Sequence, residues 1–308
     1  MKPVICIGAA IIDDSFHCLN EPLPGTSNPA THLRSAGGVA RNVAHPLAQL
    51  GNPVELISHF GLDGDGVWLK EKCLSAGIGL SNSRFTRTGT GRFVGIISPS
   101  GELFAGASDT HTQEEITIAF LSERTLLLES ASLILCDCNL AVSSIGWLLD
   151  FCRTHSVPCV IEPVSAAKAS LLRDVNLKNV LLITPNNAEL AGVCGRDAND
   201  EQQSLAERLL EKGVQNIWIR KGKEGSEMFS REGIITLPAP DVEVADTTGA
   251  GDAALAGWIH AWLRKMSARE WMMYGHAMAE IILRTRGAHA DHLDSNLLES
   301  TVANLRIQ

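Results

Sequence analysis

Asp246-Thr247-Thr248-Gly249-Ala250-Gly251-Asp252 runs without a break into the apolar stretch Ala253 to Leu263, and these residues decide how the rest of the chain is understood. The apolar stretch has helical character, and Gly249, Ala250 and Gly251 leave the backbone N–H groups at its start uncovered. The helix macrodipole adds partial positive charge there, which gives the segment the makings of an anion hole. A carboxylate one residue past the second glycine stands on the first helical turn. It is close to any bound phosphate and able to take a proton from an attacking hydroxyl. The plainer alternative is a helix entry, with Thr248 as cap and Asp252 favourable to the dipole; a short glycine motif taken singly does not separate the two.

A second glycine loop lies far upstream. Gly37-Gly38-Val39-Ala40-Arg41-Asn42-Val43-Ala44, followed by Gly51 and Gly61, feeds another helical stretch, and its paired glycines let backbone approach a polar ligand closely. Around these loops, short β-branched runs alternate with amphipathic stretches. Val4 to Ile7, Val54 to Ser58, Leu133 to Cys136, Cys159 to Ile161, Val180 to Ile183 and Ile217 to Ile219 read as buried strands. Helices are expected over Val39 to Leu50, Gly66 to Ala76, Ser143 to Thr154, Asn187 to Ala191, Glu201 to Lys212, Gly249 to Lys265 and Ala268 to Thr285. That rhythm predicts an α/β fold, a doubly wound and mostly parallel sheet flanked by helices, in a single domain over 1–308. Two segments, at about 15–34 and 89–109, carry turn residues and β-type alternation with no helix after them. They are expected to form a small β lid, which would exclude water from a phosphoryl-transfer site.

Composition narrows the partners. At 308 residues and 45% hydrophobic content the chain can bury a large core. Its formal net charge is −9 with no Lys/Arg-rich run, which argues against a nucleic-acid partner. Val4 to Ile12 is apolar but too short to span a bilayer, and it runs into Asp13-Asp14 instead of a cleavage site. It reads as a buried strand, and no membrane association is expected. Eight scattered cysteines without a Cys-x-x-Cys pair fit reduced, buried thiols in a cytoplasmic protein. No Gly-x-x-x-x-Gly-Lys-Ser/Thr occurs, so phosphate binding falls to the anion hole. The sequence sets no oligomeric state, and a homodimer is left open.

Together the two glycine segments resemble the two signatures of the ribokinase family, also called the PfkB carbohydrate kinases. The first runs from Gly37 through Asn42 and Ala44 to Gly51 and Gly61, the second from Asp246 to Gly257, and the likeness extends from Gly8-Ala9-Ala10-Ile11-Ile12-Asp13 to Arg286-Gly287-Ala288. The resemblance implies a ribokinase-like fold and an ATP-dependent small-molecule kinase, with Asp252 as catalytic base and Gly249, Ala250 and Gly251 as the anion hole. Thr184-Pro185-Asn186-Asn187-Ala188-Glu189 is similar to the family's Asn-x-x-Glu segment. It implies Asn186 beside the nucleotide and Glu189 holding Mg²⁺ through water, although standing alone these residues read as an Asn cap and a first-turn Glu. Arg220-Lys221-Gly222-Lys223-Glu224-Gly225 resembles the nucleotide loop, which places Arg220, Gly222 and Gly225 beside ATP; a plain turn is the other reading. Tyr274-Gly275-His276-Ala277 resembles the helix flanking adenine, with His276 at the base-contacting position. Asp246, with carbonyls of the loop after Arg286, resembles the family's monovalent-cation site, which implies K⁺.

Asp13 stands where the family grips vicinal sugar hydroxyls, a task suited to two acceptor oxygens. The resemblance also implies substrate contacts from Gly37, Gly38, Asn42 and Asn139. Within the family, Ser27-Asn28-Pro29, Gly37 to Asn42, Cys136-Asp137-Cys138-Asn139 and Glu162-Pro163-Val164-Ser165 are most similar to the pseudouridine kinases. Val39 replaces the Lys usual in free-pentose kinases and makes room for a base. A nucleoside phosphorylated on its 5′-hydroxyl, pseudouridine above all, is therefore the implied acceptor. A ribokinase or another sugar or nucleoside kinase is the alternative within enzymes, and a non-catalytic nucleoside-binding regulator the one outside them. One departure is Ile11, where ribokinases and pseudouridine kinases usually have Asn. A polar partner left unmatched there costs about 1–3 kcal/mol and shifts preference among acceptors.

Overall fold

The computed structural model describes residues 2–197, 200–285, 287, 290 and 292–306. Its strands, in chain order, begin with β1 (Val4–Ile7), β2 (Ile11–Cys18), β3 (Ala30–Gly37), β4 (Val54–Ile57), β5 (His59–Gly61), β6 (Arg84–Thr86), β7 (Arg92–Ile97) and β8 (Leu103–Asp109). There follow β9 (Leu133–Asp137), β10 (Cys159–Glu162), β11 (Leu182–Ile183), β12 (Asn216–Arg220), β13 (Ser226–Ser230) and β14 (Gly233–Leu237). The main sheet has eight strands in the order β14-β13-β12-β11-β10-β9-β1-β4. It is parallel from β4 to β12 and closes with an antiparallel β12-β13-β14 meander, which the strand-helix rhythm did not anticipate.

The strands are near-continuous apolar runs because both faces of the sheet are covered. Ile5, Ile7, Ile134, Cys136, Ile161 and Ile183 face one core cluster. Val4, Cys6, Leu133, Leu135, Val160 and Leu182, their alternate neighbours, face the other. Each such aliphatic side chain contributes roughly 1.5–3 kcal/mol on burial. The second cluster also holds the helices Val39–Gln49 and Ala250–Leu263, so the two helices that open on glycine loops lie on the same face.

After β1 the chain builds β4 on one side, then returns to lay β9, β10, β11 and β12 on the other. The carboxyl ends of β1 and β9 therefore flank a topological switch point, where ligands of open α/β sheets bind. Val4 to Ile12, expected as one buried strand, is broken here. Gly8 has φ +151°, and a Cβ on it would fall 2.3 Å from Asp137 Cγ, so the chain turns out of the sheet and restarts as β2. Asp13 consequently lies inside a second strand and not after the first.

The two segments that broke the rhythm supply a separate four-stranded sheet, β3-β2-β7-β8. It starts at Ile11 and ends at Asp109, so its first part begins earlier than 15 and runs to Gly37. At its base, Arg92 bonds Asp14 and Asp65, Arg34 bonds Asp65, and His32 Nε2 lies 2.7 Å from Asp14 Oδ1. Asp65 belongs to the first turn of the helix Gly64–Ser75, so ion pairs fasten the small sheet to the main body. All eight cysteines are free thiols, and none of the helices searched is long and apolar enough to cross a membrane.

Candidate active site

The helix Ala250–Leu263 begins on Gly249, whose φ of +74° no other residue type adopts as readily, and no side chain caps it. Thr248 is therefore not the cap. Its N–H donates at 2.9 Å to Asp246 Oδ1, while Asp246 Oδ2 accepts at 2.9 Å from Gly287 N. Burial opposes ionisation of Asp246, but these hydrogen bonds hold its carboxyl below the usual range. Ala250 N–H turns back to Thr247 O at 3.3 Å. That leaves the N–H groups of Gly249 and Gly251, but not Ala250, open for an anion. Of the loop expected to add carbonyls beside Asp246, Arg286 and Ala288 lie outside the described residues.

Asp252 stands on the first turn of this helix, and its Oδ2 accepts from Asn42 Nδ2 at 2.8 Å across 210 residues of sequence. Its pKa is raised to about 7, chiefly by burial and then by Glu162, against the opposing effects of the Asn42 hydrogen bond and Arg220. Arg220 is held down and does not extend along the loop after β12. Its Nη2 donates to Glu162 Oε1 at 2.8 Å and to Thr184 O at 2.6 Å. A Cβ on Gly251 would meet Arg220 Nη1 at 2.5 Å, so only glycine lets this guanidinium approach the helix start so closely.

Asn186 and Glu189 form a capping box on the helix Asn187–Cys194, each side chain accepting from the other's backbone N–H at 2.9 Å. The cap is thus real whatever else these residues do. Glu189 Oε1 is left over, and burial together with nearby Glu162 raises the pKa of this carboxyl. Among the residues searched, no group of three or more His, Cys, Asp or Glu side chains is placed to ligate a metal. A divalent cation that keeps most of its waters needs only one or two carboxylates, and Glu189 fits that requirement.

At the switch point Asp137 organises the acceptor side. Fully buried, it accepts from Ala9 N and Ala40 N through Oδ2 and from Asn139 N through Oδ1, each at 2.9 Å. Asp13 faces the first of the paired glycines, where a Cβ on Gly37 would sit 2.1 Å from Asp13 Cγ; a Cβ on Gly38, at φ +92°, would sit 2.3 Å from Ala9 O. Burial raises the Asp13 carboxyl to about 6, with Arg41 opposing and Asp14 adding. Asn139 Oδ1 is taken by Lys168 Nζ, which also donates to Thr110 Oγ1 at 3.1 Å, so only the Asn139 amide NH₂ remains. Ile11, 6% exposed, is packed against Gly91.

At the start of the Ala250–Leu263 helix lies a cavity of about 700 Å³, lined among others by Trp218, Arg220, Gly222, Gly225, Gly251 and His276. His276 forms part of its wall, but its ring nitrogens are engaged. Nε2 lies 2.7 Å from Ser226 Oγ, which itself accepts from Trp218 Nε1 at 2.8 Å, and the ring also bonds to Pro238 O. Burial lowers its pKa to about 4, so the ring is neutral and offers a surface, with no free donor for a base edge.

Asp137, Glu162, Arg41 and Lys168 were not assigned roles from the sequence. The first two carried a readable signal, a lone carboxylate ending an apolar strand (Leu-Ile-Leu-Cys-Asp and Cys-Val-Ile-Glu) at the sheet edge where ligands bind.

The sequence pattern of the pfkB family carbohydrate kinases matches residues 1–295. The pseudouridine kinase of Escherichia coli (strain K12) is 27% identical over 91% of this chain and 90% of its own length. The ribokinase of Haemophilus influenzae is 27% identical over 82% and 83%. In three dimensions, Arabidopsis thaliana ribokinase complexed with ribose and ATP superposes with a TM-score of 0.84 at 21% identity, covering 98% of both chains.

Proposed function

The chain belongs to the pfkB family of carbohydrate kinases, and from that premise we propose that it transfers the γ-phosphoryl group of ATP to the 5′-hydroxyl of a nucleoside, pseudouridine first. The observation that carries the proposal is Asp252, a carboxylate with a pKa of about 7 between two uncovered glycine N–H groups and the Asn42 amide. A general base works best when its pKa lies near the operating pH. Asp252 takes the proton of the acceptor hydroxyl as that oxygen attacks the phosphorus. Gly249 and Gly251 N–H groups receive the charge that develops on the transferring group, a kind of contact whose loss costs about 10²–10³ in turnover.

Asp13 grips the ribose diol, with Gly37 and Gly38 closing over it and the Asn139 amide donating nearby. ATP occupies the cavity beside His276, its base against the apolar wall and its phosphates directed to Gly251 and Arg220. Glu189, with Asn186 beside it, would hold Mg²⁺ through water, and the ion would supply charge neutralisation to the phosphates. K⁺ at Asp246 would stiffen the Thr247–Gly249 loop, and equal activity in potassium and in an organic cation would remove it from the scheme. The four-stranded sheet carries Asp13, and in this scheme it serves as the lid over the acceptor.

Pseudouridine is favoured by the E. coli relative at 27% identity and by Val39, which leaves apolar room beside the ribose. A free-sugar acceptor is the second reading, favoured by the ribokinase relative. A coupled ADP-release assay with pseudouridine, uridine, adenosine, inosine, ribose and fructose ranks them. Strong preference for ribose or fructose overturns the nucleoside assignment, and silence with every acceptor points to a binding protein.

A further inference from the structure

The helix Val39–Gln49 buries a charge that the proposed chemistry does not use. Arg41 is 1% exposed, and none of its described hydrogen bonds goes to a carboxylate. Nε donates to Gly37 O at 3.2 Å, Nη2 donates to Asn42 Oδ1, and Nη1 faces His45 Nδ1 at 3.4 Å. Burying a guanidinium without a directly bonded carboxylate is costly, so its retention calls for a reason.

Arginine carries only donors. The end of the Asn42 amide that faces it must therefore be the oxygen, which leaves Nδ2 to point at Asp252 Oδ2, 2.8 Å away. An asparagine free to turn over would offer its oxygen to Asp252 part of the time, and an acceptor facing a carboxyl is satisfied only when that carboxyl holds a proton. A protonated Asp252 cannot take a proton from a hydroxyl. We propose that Arg41 is a positioning residue that locks the polarity of Asn42, so that the Asn42 amide always donates to Asp252 and keeps it ready to accept a proton. Through Nε the same side chain holds Gly37 O, the carbonyl of the glycine on which Asp13 packs, so one guanidinium sets both ends of the acceptor site.

The lock acts against a crowded background. Glu162 at the end of β10 and Asp137 at the end of β9 oppose ionisation of Asp252, Arg220 at the end of β12 favours it, and Asp13 of β2 faces Arg41 itself. A hydrogen bond to a charged group is large enough to move a titration by about one pH unit.

The inference rests on Asp252 as base, and the test separates the two. The pH dependence of kcat/KM is measured for wild type, Asn42→Leu, Arg41→Met, Arg41→Lys and the Asn42→Leu/Arg41→Met pair. Asn42→Leu and Arg41→Met are expected to move the acid limb up by about one unit, or about tenfold lower kcat/KM below the limb. Arg41→Lys, which still donates, stays near the wild-type limb, and Arg41→Met adds little once Asn42 is gone. If Arg41→Met shifts the limb as far in the Asn42→Leu background as in wild type, it acts by its field and the lock is wrong. An unchanged limb in Asn42→Leu overturns it as well, and this variant with Arg41→Lys decides the matter should Arg41→Met not fold. Near-normal turnover of Asp252→Asn would instead remove the base assignment itself.

Discussion

Two helices of this protein open with an aspartate in the first turn, Asp65 on Gly64–Ser75 and Asp252 on Ala250–Leu263. Both face the same partial positive charge of a helix start. Asp65, 27% exposed, is met directly by Arg34 and Arg92 and ties the small sheet to the body. Asp252, half-buried as well, meets Arg220 only through its field, takes one amide hydrogen bond and shares its surroundings with Glu162. The sign of the neighbours converts one sequence feature into a fastening in the first case and a poised proton acceptor in the second.

Removing the Asp252 carboxylate is the largest intervention. Asp252→Asn should lower kcat by about 10²–10⁴ in the ADP-release assay with acceptor KM little changed, the range for a general base. The same variant should melt higher than wild type at pH 8 and equally at pH 4. A carboxyl whose folded pKa lies above its unfolded value loses stability as pH rises from about 4 through about 7, and asparagine has no such loss. A lower melting point at pH 8 would contradict the destabilising burial assigned to Asp252.

Glu162→Gln comes next. It takes away the charge that most opposes Asp252 after burial itself, so the acid limb of kcat/KM should move down from about 7, while Arg220 loses its partner at a cost on the order of 3 kcal/mol. Thermal melts and the pH profile read the two effects separately, and a limb that moves up would contradict the role given to Glu162. In the unmodified protein, kcat/KM should climb about tenfold per pH unit below 7 and level above it, because only the ionised carboxylate accepts the proton.

Asp65→Asn should be the mildest. Its partners are half-exposed, so the loss should stay within about 1 kcal/mol and shrink as salt is raised. Limited proteolysis of the small sheet, with and without acceptor, then reports how firmly it is held. A large, salt-independent loss would place Asp65 in the same class as Asp252 and dissolve the contrast.

The contrast also marks how far the chain could be read without coordinates. The helices at Val39 and Ala250 are legible because the apolar period and the glycines before them are local properties, and so are the buried parallel strands. Gly8 is not. The space for a side chain there is taken by Asp137, a residue 129 positions away, so the break in Val4 to Ile12 has no local signal. His276, expected beside the base, lines the cavity, but its ring nitrogens are spent on Ser226 and Pro238, which no spacing rule could reveal.

By itself the sequence determined the α/β architecture, the two glycine-led helix starts and the carboxylates standing beside them, since helix entry, strand burial and turn chemistry depend on neighbouring residues. Only the tertiary structure decided that Asn42 reaches Asp252, that Arg41 sets the amide's direction, and that Glu162 and Arg220 share the same buried space. Proton affinity is set by burial and by charges brought together from distant strands, and those distances exist only once the sheet has closed around the switch point.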